Sequence, residues 1–283
     1  MPRSLFRAVL LASLALAPLP ASAQEEEAPV IPQLWDTRER LPQPDLSALP
    51  RLRFLTGTDF PPFNTIDGEG RLVGFHVDLA RALCDALSLG DKCQIQALPW
   101  DELQPALARG DGEAIIAGLS ANAQTREKLA FSRPYLWFPA RFVALRSALP
   151  EEPVVRALQG ARVGVLAGSA HERLLRDEFA GIEPVPQPDE ATLLADLRAG
   201  RTAAVFGDGM RWSFFLAGAE GAECCAFAGG PFLAPEHLGL GLSIAVRRED
   251  TELRSALDAG LQAVSTRGRF TELYLRHFPV SFF

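Results

Sequence analysis

One pattern occurs twice in this chain, ninety positions apart. Leu103, Leu107, Gly110, Ala114 and Ile115 recur as Leu193, Leu197, Gly200, Ala204 and Val205. Leucines four apart share one face of a helix, a glycine stops it, and the short apolar run that follows reads as a buried strand. A second pair supports the duplication: Phe54-Leu55-Thr56-Gly57 and Val165-Leu166-Ala167-Gly168 are each a β-like run ending in glycine before a turn and a helix. Helix, stop and strand in duplicate predict two similar α/β lobes. The alternation continues around them, with strands expected at Leu52–Gly57, Cys93–Ala97 and Ala114–Ala117. Helices are expected where Phe75, Leu79, Ala82, Leu83 and Ala86 recur, and at Asp101–Arg109. Strands alternating with helices imply mainly parallel sheets flanked by helices, with ligands outside the carboxyl ends of the strands. Two lobes facing each other would line a cleft with residues 57–63, 117–120, 167–170 and 207–210.

The ends of the chain point to export. A cationic start from Met1 to Arg7 precedes an apolar run from Ala8 to Pro18 and the small-x-small step Ala21-Ser22-Ala23, after which Gln24-Glu25-Glu26-Glu27 turns acidic. This is the pattern of a signal peptide over residues 1–23, cleaved after Ala23, and it predicts a periplasmic protein. The run falls short of the roughly 20 residues a membrane span needs, so a retained anchor is disfavoured. With no cysteine at the cleavage step, a lipid anchor there is disfavoured too. Residues 24–50 carry Pro29, Pro32, Pro42, Pro44 and Pro50 and read as an extended arm, tacked to the body by Trp35. The formal net charge is −7, and loss of Arg3 and Arg7 with the leader makes the chain more acidic. Nucleic acid is therefore a poor partner.

Four cysteines in an oxidising compartment favour pairing. Cys84 and Cys93 bracket the end of a helix and the start of a strand. Cys224 and Cys225 are adjacent and either form a vicinal bridge or remain buried thiols. The spacing does not match the usual zinc patterns, and His76, His171, His237 and His277 share no metal or triad spacing, so surface placement is expected for each. No cofactor motif is present.

Several spaced motifs then resemble the polar-amino-acid-binding family of periplasmic solute-binding proteins (family 3, type II fold). They are Gly57-Thr58-Asp59-Phe60-Pro61-Pro62-Phe63, Gly74-Phe75-His76-Val77-Asp78-Leu79-Ala80, Gly118-Leu119-Ser120 through Phe131-Ser132-Arg133-Pro134-Tyr135, Val163 to Ser169, and Gly268-Arg269-Phe270 with Tyr274. The resemblance spans about residues 51–279. It implies two lobes, 51–138 plus 243–283 and 139–242, joined by two crossings near Phe138–Arg141 and Leu240–Ser243. It also implies closure on a small amino-acid-like ligand and delivery to an ABC transporter permease of the inner membrane, by a chain expected to be a monomer. A Cys84–Cys93 disulfide follows from the same likeness, since some basic-amino-acid binders bridge this step.

By that resemblance Phe60 and Trp100 are aromatic walls, and Gly118, Ser120 and Arg126 form an α-carboxylate site. The usual position of the family's arginine is held here by Thr125, with Arg126 one place later. Asp208 matches the acid that receives the ligand's ammonium, the competing role being a cap for the helix beginning near Met210. Ser169 is its neighbour across the second lobe, and Asp59 faces the ligand's variable group or caps its turn. Two rivals share the motifs: an enzyme resembling cyclohexadienyl dehydratases, for which Glu113 and His171 lie near the cleft segments, and a soluble sensing or accessory binding protein. The chain is expected not to be an enzyme.

Overall fold

In the computed structural model, residues 35–36 and 38–283 are described. The leader and its cleavage step fall outside these residues. Two five-stranded sheets carry the fold. The first runs in the order 93–97, 52–56, 114–115, 245–247, 129–131; the second runs 183–187, 162–166, 204–208, 140–145, 225–232. In each, three parallel strands come first and the fourth strand is antiparallel to both of its neighbours. The antiparallel strand is in both cases the one that follows a passage of the chain between sheets.

The duplicated pattern produces this match. Leu103 and Leu107 lie on the helix Trp100–Arg109, and Leu193 and Leu197 on the helix Glu190–Arg198; all four are buried. Each pair covers its own sheet, with Leu55, Ile115 and Phe131 in the first lobe and Val143, Val205 and Trp212 in the second. Full burial of one such leucine contributes about 1.5–3 kcal/mol. The helix over Phe75–Ala86 matches the apolar spacing of its sequence, and the strand expected over Ala114–Ala117 is shorter, Ala114–Ile115.

The two passages, residues 132–139 and 233–244, run side by side. Leu136 and Leu242 form an antiparallel bridge, and Ser132 donates its backbone N–H to the Ile244 carbonyl at 2.8 Å. A third connection comes from the carboxyl-terminal segment. Phe278 and Phe282 are buried in the first-lobe cluster, while Val280 packs on the second-lobe cluster containing Val143, Trp212 and Leu216.

Cys84 and Cys93 are joined, with Cα atoms 5.9 Å apart, and Cys224 is bonded to Cys225. Trp35 is buried against the first lobe under the Arg133 guanidinium, which pairs with Glu39. Among the described residues no helix is long and apolar enough to cross a membrane.

Candidate functional site

The strand ends of both sheets meet across a cavity of about 440 Å³, lined by Pro61 and Pro62 on one side and by Asp208, Met210, Arg211 and Phe214 on the other. A slightly larger hollow of about 490 Å³ lies between the Pro-rich arm and the start of the helix at Thr251, beside Glu113 and Arg247 and so at the amino-terminal end of the parallel strand 114–115. Position decides between them. In parallel sheets the chemistry gathers at the carboxyl ends of strands, and only the first cavity is there.

On the first lobe a small antiparallel sheet of residues 59–60, 64–66 and 72–73 presents Asp59 and Phe60. The Phe60 ring stacks on Phe63 with centroids 4.7 Å apart. It also lies so close to Gly118 that a β-carbon there would sit 2.7 Å from the ring, at φ +83°, a conformation glycine adopts without strain. Behind Phe60 runs a buried polar chain: the Tyr135 hydroxyl and Asn64 Oδ1 each lie 2.8 Å from a nitrogen of His76. Asn64 Oδ1 can only accept, so Nδ1 carries the proton and Nε2 accepts from Tyr135, a tautomer assigned from its partners. Burial pushes His76 down to about 3, so the ring is neutral. The expectation of a surface position therefore fails for His76, which is fully buried; a helix whose inner face starts at Phe75 turns this side chain inward.

Trp100 opens the helix Trp100–Arg109 and is 50% exposed. Ser120 is exposed, and its backbone carbonyl accepts from Thr125 Oγ1 at 2.7 Å. Asn122 and Thr125 close a reciprocal capping box on the short helix Ala123–Arg126. One position on, the Arg126 guanidinium lies over the Phe131 ring, 5.4 Å from its centroid.

On the second lobe Asp208 ends the strand Ala204–Asp208 and caps the helix Gly209–Ala217. Its Oδ1 accepts from the backbone N–H of Met210 at 2.8 Å and of Arg211 at 3.3 Å. Both bonds use one oxygen, and Oδ2 has no hydrogen-bond partner among the described residues. Burial raises the Asp208 carboxyl above the usual carboxylate range against the pull of those N–H groups and of His171. Burial likewise lowers His171, while Asp208 beside it acts the other way. Ser169 caps the helix Ala170–Glu178 by accepting from the Glu172 N–H at 3.0 Å.

Asp208 thus reaches the cavity with Pro61 and Pro62, whereas Phe60 sits against Gly118 on the first lobe, and Phe60, Gly118 and Ser120 are not among the residues lining that cavity. Among the described residues no hydrogen bond joins the two sets. Sequence reasoning put Met210 in the cleft-lining segment 207–210 but passed over Phe214. Their spacing of four after the Asp208 cap puts them on one helix face, the signal that could have found Phe214. Glu113 immediately precedes the strand Ala114–Ile115, at the opposite end from the cleft, and is held by Arg53 at 2.8 Å.

The family model for bacterial extracellular solute-binding proteins, family 3, matches residues 52–280. The chain is 32% identical over 232 residues to a putative ABC transporter arginine-binding protein 2 of Escherichia coli K12, covering 82% of this chain and 92% of the relative. It is likewise 32% identical over 237 residues to the histidine-binding periplasmic protein of Salmonella typhimurium LT2, covering 82% and 89%. A crystal structure of an ancestral cyclohexadienyl dehydratase shares the fold, with a TM-score of 0.67 at 18% identity over 83% of this chain and 95% of that one. With the duplicated sheets, the two passages between them and the strand-end cleft, these likenesses show that the chain belongs to the bacterial extracellular solute-binding proteins, family 3.

Proposed function

We propose that this chain is the periplasmic binding component of an ABC importer, a monomer that closes its lobes, 51–138 plus 243–283 and 139–242, on a small amino-acid-like ligand. The observation that carries this reading is the cavity between Pro61-Pro62 and the second-lobe helix, with the Asp208 carboxylate on its wall and Oδ2 without a hydrogen bond among the described residues. Closure about the paired passages would remove water from that carboxylate, which then requires a cationic partner. Phe60 and Trp100 supply apolar and π faces for the rest of the ligand. Asp59, Gly118, Ser120 and Ser169 complete the rim, and Arg126 belongs to the site only if its side chain leaves Phe131. The closed form would then present the ligand to an inner-membrane permease.

Binding without catalysis is favoured because Glu113 is held in an ion pair at the far ends of the strands. The adjacency of His171 and Asp208 is the observation that keeps an enzyme reading worth testing, since an imidazole beside a carboxylate is a pair that can move a proton. Small molecules released from protein purified from the periplasm should include an ammonium-bearing compound by mass spectrometry, and that compound should rebind in calorimetry. Turnover of prephenate or arogenate, or failure to retain and rebind any ammonium compound, would refute the importer reading.

A further inference from the structure

We propose that Asn64 is a positioning residue of the binding site, holding the Asp59 carboxylate toward the ligand through an amide N–H whose direction is set by a buried chain of hydrogen bonds. This rests on the binding reading above, which places Asp59 on the rim with nothing to fix it. Asp59 is exposed, and its carboxylate accepts no hydrogen bond among the described residues. A carboxylate on a freely turning, solvated side chain holds a cation weakly, because water screens it and its rotamers must be frozen on binding.

The direction of the chain is fixed at its buried end. Tyr135 is fully buried, and its hydroxyl, 2.8 Å from His76 Nε2, has no other hydrogen-bond partner among the described residues. A buried O–H that does not donate is costly, so Nε2 accepts from it. Nδ1 then carries the ring proton and donates to Asn64 Oδ1 at 2.8 Å. The amide nitrogen of Asn64 is thereby turned the other way. Asn64 is 1% exposed, and its Nδ2 is buried without a hydrogen-bond partner among the described residues.

That nitrogen borders Gly57, which follows the strand 52–56 at its carboxyl end, where the cleft opens. A β-carbon on Gly57 would lie 3.3 Å from Asn64 Nδ2 and 3.2 Å from Asp59 Oδ1. A donor and an acceptor thus flank one point, and glycine keeps the space between them clear. Pairing of Asp59 with Thr65 and of Phe60 with Asn64 fixes the two backbones side by side. Rotation of the Asp59 side chain is then enough to set one carboxylate oxygen on Nδ2, leaving the other for a cation on the ligand's variable end. Asn64 adds no charge to the site; it supplies orientation.

Arginine and citrulline differ in the charge of the side-chain end and little in shape, so calorimetry with the two on the mature protein reads out Asp59. The parent should prefer arginine by about ten-fold or more, as one charge-assisted pair provides. Asn64→Asp keeps an acceptor for His76 and loses the donor. It should cut that preference by about five-fold or more, and in an Asp59→Ala background the same substitution should change it by no more than about two-fold. A loss shared equally by both ligands, or the same loss without Asp59, would make Asn64 a purely structural residue and overturn the inference. If Asn64→Asp does not fold, Tyr135→Phe carries the test: it removes the proton that directs the chain and should also lower the preference, and an unchanged preference would overturn the inference. A parent that rebinds an ammonium compound released from it but does not prefer arginine to citrulline would overturn the inference and leave the importer reading standing. A parent that retains and rebinds no ammonium compound would overturn both.

Discussion

The two lobes are built on the same three parallel strands and the same antiparallel fourth, yet they bring different physics to the cleft. The first holds its rim through packing: Phe60 stacked on Phe63, seated on Gly118 and backed by the neutral chain Asn64–His76–Tyr135. The second holds its rim through helix caps, with Asp208 and Ser169 fixed by the N–H groups they satisfy. A duplicated scaffold therefore does not duplicate a site. The strand order places the rim, and the side chains after each strand decide whether it offers an apolar wall or a charge.

The largest effect expected from breaking this contrast is at Asp208. Asparagine caps a helix about as well as aspartate, so Asp208→Asn should melt near the parent temperature while losing about 3–5 kcal/mol of affinity for a cationic ligand, as when a buried pair is broken. Asp208→Ala should lose the affinity and a further ~0.5–2 kcal/mol of stability. Equal affinity of the asparagine variant and the parent, measured by calorimetry, would reduce Asp208 to a cap and return the site to the first lobe.

The first-lobe polar chain should be read out by acid. His76 sits at about 3 in the folded chain and near 6.5 when unfolded, so the unfolded state binds a proton in that window and the folded state does not. Stability from this group is complete above about pH 6.5 and falls as the pH drops toward 3, by about 4 kcal/mol at the lower limit. Denaturant titrations across this range should show a shallower decline for His76→Gln; parallel pH profiles would show that the histidine is not buried neutral.

The bridge between Cys84 and Cys93 staples the first lobe alone. A loop this short contributes about 2–3 kcal/mol by restricting the unfolded chain, so Cys84→Ala with Cys93→Ala should lower the melting temperature and leave affinity nearly unchanged. Peptide mapping that finds both thiols free in periplasmic protein would contradict it. The smallest effect belongs to Arg126. An exposed cation over an aromatic ring is worth about 0.5–1 kcal/mol, and Arg126→Ala should cost no more than that in stability and nothing in affinity for a cationic ligand. A large loss of affinity would show that this side chain swings into the cleft on closure.

Sequence by itself determined the parts whose physics is local or repetitive. The leucine spacing and glycine stops predicted two matched helix–strand units, and Asp208 fell at a strand end followed by a helix. Both follow because periodicity and capping act over a few residues. Tertiary structure decided what depends on partners far along the chain. His76 is neutral because Asn64 and, fifty-nine residues away, Tyr135 enclose it, a contact no spacing rule announces. His171 gains its link to Asp208 only when the helix Ala170–Glu178 and the strand Ala204–Asp208 pack together. Cys224 and Cys225, open to either state in the sequence, are bonded. Arg126 was legible as a cation near the cleft, but one position along a helix turns a side chain by about 100°, and that rotation, not its charge, puts it over Phe131.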